Sequence, residues 1–417
     1  MFLGIHCANT EALKDTSNLF VMALFNAICG QIADNSAKAI MNKVDANSII
    51  KQMESSTRLF LSSSNNFQNI ILNQFVAEQV RLLKLRIYNF LLEMLLRGNL
   101  GISSRANFVL FDGPPGVGKS VIARELLDYM QKTSYKMLET KIPTDVNSNM
   151  KDYIVKARSR AKKNTLIIPL IVSGAFFAQY EETNALRFMQ LLVKYIIKLV
   201  QSGFIVFLVF EEIDALLGKN NDSRFLAYSL SQFEAIKNSL TEQQKLGKCG
   251  AFCLIGNTNH SSSIKETAGR RFEVISLPLA SDDEQVFIFL NYMKIYQKKM
   301  KHQINEYEIR KILKLLDGKI NFCGADIENI ISRTFTEWEL ILMYQKEFNE
   351  LSQYKTDVMP LSFFLQRVLF EIVKKMRVYY QFTQKEIDNK TKIYANAFGI
   401  KGFSVSDDSG LNEPIDK

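Results

Sequence analysis

Eight consecutive residues, Gly113-Pro114-Pro115-Gly116-Val117-Gly118-Lys119-Ser120, have the types and spacing that hold a chain of phosphates. They fit G-x-x-x-x-G-K-[ST], and each residue type has a task. The glycines let the backbone curl until several N–H groups point inward at one anion. Lys119 sets a cation against the β- and γ-phosphates, and the Ser120 hydroxyl can ligate Mg²⁺. A helix starting here aims its positive end at the same anion. A bare glycine-rich turn is the other reading. The flanks speak against it: an apolar FVLF run precedes the loop and a helical SVIARELLDYM run follows it.

A second group of reactive residues lies further on. The apolar run Phe204–Phe210 ends in Glu211-Glu212-Ile213-Asp214. Carboxylates at the carboxyl end of a central parallel strand sit where ligands bind in open α/β sheets. One acid can hold Mg²⁺, and the next can orient and activate an attacking water. A helix N-terminus that merely favours acids would look similar. Downstream of a phosphate loop, the metal-and-water reading is the stronger.

These residues need a scaffold. Asn107–Asp112 reads as a buried strand and Gly118–Gln131 as a helix. Further strand candidates are Lys136–Ile142, Thr165–Val172, Phe204–Phe210, Ala251–Asn257 and Val274–Pro278. Helical patterns over Ser148–Lys163, Asn184–Gln201 and Arg224–Lys245 separate most of them. Strands alternating with helices predict an α/β domain with a mostly parallel sheet. Before it, residues 1–75 read as a helical N-terminal region, and Val76–Arg97 as a strong amphipathic helix that opens the α/β part, residues 76–280. After it, a helical lid is expected over 281–350, further helices over 351–403 and a disordered polar tail from 404.

Composition narrows the function classes. Of 417 residues, 47% are apolar and 23% charged, which are ordinary globular values and exclude a mainly disordered chain. The five cysteines are scattered and the three histidines isolated, which fits buried free thiols in a reduced, cytoplasmic protein rather than a disulfide scaffold or a zinc site. Leu191–Phe210 is interrupted by Lys194, Lys198, Gln201, Ser202 and Gly203. It reads as helix, turn and strand, not as a membrane span. The net charge of +9 sits mostly in the middle of the chain, with a local run of Lys156, Arg158, Arg160, Lys162 and Lys163. The run fits a solvated helix face, or a contact to nucleic-acid phosphates.

Taken in order, five segments resemble the AAA+ ATPases, and within them the AAA branch. GPPGVGKS resembles the Walker A loop and VFEEIDALL the Walker B segment. AFCLIGNTN ends in the sensor-1 pair Thr258-Asn259. Gly269-Arg270-Arg271-Phe272-Glu273 resembles the region that carries arginine fingers, and Cys323-Gly324-Ala325-Asp326 the Gly-Ala-Asp motif of the lid. The resemblance implies a P-loop AAA+ parallel sheet flanked by helices, a small helical lid after it and a helical region before it. It implies ATP and Mg²⁺, the metal held through Ser120 and Glu211. Glu212 would activate water and Asn259 would position it. Arg270 or Arg271, with Arg271 preferred, would reach a neighbouring subunit's site, which requires a ring, usually of six subunits. Gly324 and Ala325 would line the adenine side. Phe177 and Tyr180 are candidates for an aromatic pore loop that grips a polypeptide; packing of this loop into the core is the alternative.

Three features depart from the family pattern. Glu211 stands where Asp is usual. The arginines are adjacent rather than separated. Extra sequence, including the basic segment 148–163, lies before the Thr165–Val172 strand. Three kinds of work stay open at this point. They are remodelling of a protein substrate by a homo-oligomeric ring, nucleic-acid handling, and a slow nucleotide switch with weak hydrolysis.

Overall fold

The computed structural model describes residues 74–97 and 106–398, apart from 145, 147, 175–181, 218–222, 246–249, 260–263, 265, 267–269, 297–299, 301–303, 315–321, 349–357 and 379–382. The helical expectation for residues 1–73, the tail from 404 and the aromatics Phe177 and Tyr180 lie outside the described residues. Two compact units emerge: residues 1–114 with 119–277, and residues 115–118 with 278–417.

The first unit is built on five parallel strands: β1 (Ala106–Asp112), β2 (Ile167–Ser173), β3 (Ile205–Glu211), β4 (Ala251–Thr258) and β5 (Glu273–Ser276). Their spatial order is β2-β3-β4-β1-β5. The helices are α1 (Gln74–Leu92, closed by a π-helical turn over Glu93–Arg97), α2 (Lys119–Met137), α3 (Ser148–Lys162), α4 (Glu182–Gln201), a one-turn α5 (Asp214–Leu217) and α6 (Ser223–Lys245). Every residue of β4 is buried, as is β3 up to Phe210. Such continuous apolar runs mark strands covered on both faces. Side chains alternate across the sheet. Leu110, Leu170, Leu208, Phe210 and Leu254 therefore share one face with Leu192, Ile196 and Phe233 of α4 and α6. The opposite face takes α2, which packs on β2, β3 and β4.

The segment Lys136–Ile142, expected as a strand, is not one. α2 runs on to Met137, burying Leu126, Leu127, Met130, Thr133, Ser134 and Met137 at helical spacing, and turns follow. Arg158 of α3 closes that end. Its guanidinium donates to the carbonyls of Leu138, Met137 (3.3 Å) and Thr140 (2.7 Å), where a helix leaves carbonyls unpaired and favours a cation. Arg160 does the same beyond α4, donating to Ser202 O at 2.6 Å with its guanidinium 4.0 Å from the Phe204 ring centroid. Two cations of the basic run are thus engaged within the chain, while Lys156, Lys162 and Lys163 are exposed.

The second unit is helical: α7 (Asp282–Tyr296), α8 (Glu306–Lys314), α9 (Gly324–Phe348), α10 (Leu361–Val378) and α11 (Gln384–Phe398). All five contribute to one apolar core around Phe289, Ile309, Phe335, Trp338, Phe364 and Ile387. The lid and the C-terminal helices, separated in the sequence reading, share this core. Ser281 and Glu284 form a capping box at the start of α7, Glu284 accepting from Ser281 N at 2.7 Å. Asn305 with Glu308, and Thr383 with Glu386, repeat it for α8 and α11.

Candidate functional site

Parallel register brings the chemistry to one edge of the sheet. Ser173 pairs with Glu211, and Asp112 with Thr258, so β1, β2, β3 and β4 end side by side. The loop Gly113–Gly118 leaves β1 at this edge and delivers Lys119 and Ser120 to the first turn of α2. Its curl requires glycine. Gly116 has φ +80°, and a Cβ there would lie 2.4 Å from the Cys323 sulfur. Gly113 is blocked differently, since a Cβ would come within 2.2 Å of the Leu277 carbonyl oxygen. Pro114, Pro115 and Val117 fill the rest of the loop. Within the second unit Ala325 N donates to Gly116 O at 3.3 Å, so Gly324 and Ala325 sit against the loop tip at the start of α9. Beside them burial pushes the Cys323 thiol up to about 11.

Lys119 is buried, and its ammonium is held by oxygens. It donates to Gly113 O at 2.6 Å, Pro114 O at 2.8 Å and Asn259 Oδ1 at 2.8 Å. Asn259 is thereby placed beside the phosphate loop. Ser120 Oγ donates to Glu211 Oε1 at 2.8 Å, joining the two expected metal ligands. Asn257, which the sequence reading passed over, donates from Nδ2 to Glu211 Oε2 at 2.9 Å and approaches Ser120 Oγ at 3.4 Å. It is 2% exposed, and its Oδ1 is buried with no hydrogen-bond partner among the described residues. The signal in the sequence was a polar side chain at the end of an otherwise apolar strand. Arg124, one turn beyond Ser120 on α2, is a second omission. Burial lowers its pKa and the charge of Glu211 opposes that shift.

Glu212 adopts φ +54°, the left-handed region that non-glycine residues avoid at a cost of about 1–2 kcal/mol. Such outliers persist where the surroundings over-determine them. Here Ile213 N donates to Asn257 O at 2.9 Å, and Ala215 N returns to Glu212 O at 3.0 Å. The Glu212 side chain is exposed beside Glu211.

Arg270 and Arg271 are not brought to this edge. They precede β5, and β5 starts opposite Val109, three residues before the loop end of β1, or about 10 Å of strand. Arg271 Nε donates to Glu234 Oε1 of α6 at 2.6 Å, and Arg270 pairs with Glu266 in the open. No described helix is long and apolar enough to cross a membrane.

Comparison with known proteins follows the same outline. Residues 109–278 match the family model described as ATPase family associated with various cellular activities (AAA). No curated protein matches the chain by sequence. Among solved structures, the FIGL-1 AAA domain in complex with ADP is 15% identical, with a TM-score of 0.45 over 86% of this chain and 99% of that one. C. elegans PCH-2 is 11% identical, with a TM-score of 0.46 over 75% of this chain and 72% of that one. The family match spans the phosphate loop, the acids and the strands that carry them, and it marks residues 109–278 as a segment similar to the AAA ATPase domain.

Proposed function

We propose that the chain binds ATP with Mg²⁺ and hydrolyses it, and that it works as a homo-oligomeric ring remodelling a protein substrate. The observation that carries the nucleotide part is the cluster Ser120–Glu211–Asn257 beside Lys119–Asn259 at one sheet edge. The donor set suits magnesium: a hydroxyl and a carboxylate are both hard oxygens, and the buried Asn257 Oδ1 adds an unpartnered acceptor. Ser120 and Glu211 would hold the ion, which supplies charge neutralisation to the phosphate oxygens when bound.

The remaining steps belong to the chain. Lys119 exchanges its three oxygen partners for oxygens of the β- and γ-phosphates, while the loop amides hold the same groups. Asn259, freed by that exchange, orients the attacking water. As the water oxygen bonds to the γ-phosphorus, Glu212 takes its proton. The bond from that phosphorus to the bridging oxygen breaks, leaving ADP and inorganic phosphate. Arg270 or Arg271, lying away from the chain's own loop, would serve a neighbour's site. Remodelling of protein rests on the resemblance of the Gly-Ala-Asp lid. The nucleic-acid alternative has less to stand on, since Arg158 and Arg160 are engaged within the chain.

The test is ATP turnover per subunit against protein concentration, with Lys119→Ala and Glu212→Gln as controls. Turnover per subunit should climb with concentration, and both substitutions should cut it to a small residual rate. Turnover that stays at background while ATP still binds would leave a nucleotide switch instead.

A further inference from the structure

We propose that Gly174 is the positioning residue that fixes Glu212 in its left-handed conformation and so aims its carboxylate. The inference rests on the hydrolytic role proposed for Glu212. Gly174 follows β2, whose last residue, Ser173, pairs with Glu211. A side chain at 174 would therefore project toward the turn that carries the acids. A Cβ there would meet the Glu212 carbonyl oxygen at 2.1 Å, its carbonyl carbon at 2.9 Å and the Glu211 carbonyl oxygen at 3.2 Å. These are backbone atoms at the turn that leaves β3, not the tip of a flexible side chain, so no side chain can swing aside to make room.

The contact is informative because of what it meets. Glu212 has φ +54°, so its peptide is rotated away from the path of β3. That rotation carries the Glu212 carbonyl against Gly174, while Ala215 N holds the same oxygen from the other side at 3.0 Å. Ile213 N, bonded to Asn257 O, pins the next peptide. Gly174 thus supplies the wall of a slot that only a bare backbone leaves open. Its other reading is generic tight packing between neighbouring strand ends.

Gly174→Ala separates the two. Ordinary contact distances require the 2.1 Å gap to open by about 1 Å, and a displacement of that size at a catalytic group lowers rate on the order of 10²-fold. In the full-length protein we expect kcat to fall about 10²-fold, while KM and the affinity for a fluorescent ATP analogue move less than about threefold. In a Glu212→Gln background the same substitution should cost almost nothing, because the group it misplaces is already gone. An equal loss in both backgrounds, or a kcat within about threefold of wild type, overturns the proposal.

A stability cycle reads the packing without turnover. Glu212→Gly makes the turn pliable. The Tm lost on Gly174→Ala should therefore shrink by at least about half in that background. Additive Tm changes overturn the proposal. Wild-type turnover at background defeats the hydrolytic reading instead, and the stability cycle still decides the packing claim.

Discussion

Replacing Glu211 with the shorter Asp, the residue usual in the family this chain resembles, should damage the site rather than improve it. In this structure the carboxylate spans two donors, Ser120 Oγ at 2.8 Å and Asn257 Nδ2 at 2.9 Å. Glu211 is the last residue of a strand whose six preceding residues are all buried, so its backbone cannot advance. Removing one methylene retracts the carboxylate by about 1.5 Å. Both contacts then lengthen to about 4 Å, beyond hydrogen-bond range. Bonds to a charged acceptor are worth about 1.5–3 kcal/mol each, and Asn257 is left buried beside a missing partner. Allowing for partial repair by water, the loss of stability in Glu211→Asp should be about 2–3 kcal/mol, read from urea unfolding with an unchanged m-value. Ser120 loses its fixed partner in the same step, so ATP turnover should fall on the order of 10²-fold and need more Mg²⁺ for half-maximal rate. Turnover equal to or above wild type, with stability changed by less than about 0.5 kcal/mol, would refute the claim that this site is built around the longer side chain.

Two further outcomes follow from the fold. Burial pushes the Cys253 thiol up to about 12 and the Cys323 thiol up to about 11 from 9.0, so the folded chain keeps these protons while the unfolded chain loses them. Their contribution is complete below about pH 9 and fades as pH rises through the folded values. Unfolding free energy should therefore decline across pH 9–11, and Cys253→Ala should flatten the decline; a profile unchanged by that substitution would count against it. Arg158→Ala strips the cation from the carbonyls of Met137, Leu138 and Thr140, and should cost about 1–2 kcal/mol in chemical denaturation without changing ATP affinity. A selective loss of nucleic-acid binding with stability intact would instead return that helix to the role of an interaction surface.

The sheet was legible because its strands are nearly uninterrupted apolar runs between helical patterns, and parallel strands covered on both faces must read that way. The phosphate loop was legible because its glycines answer to local backbone demands. The failure at Lys136–Ile142 shows the limit. Met137, Leu138 and Ile142 are too few to separate a strand from a last helical turn, and the deciding contact comes from Arg158, on another helix. Asn257 and Gly174 escaped for a related reason. One acts by reaching a carboxylate 46 residues away in the chain, the other by having no side chain where two strand ends meet. Neither property leaves a periodicity or a motif. The arginines of the basic run read as surface charge because sequence cannot show that a neighbouring helix ends beneath them.

The capping boxes of the second unit bear on how the chain folds. At Ser281–Glu284, Asn305–Glu308 and Thr383–Glu386 each helix start is fixed by partners three residues apart. Such contacts close small loops, which cost little entropy and form early. The first unit is the opposite case: β1 pairs with β4 and β5, so its central strand waits for chain more than 140 residues downstream. On a ribosome the phosphate loop would thus emerge long before the strands that hold its edge in place. The helices of the second unit, made after those strands, need only their own neighbours to begin.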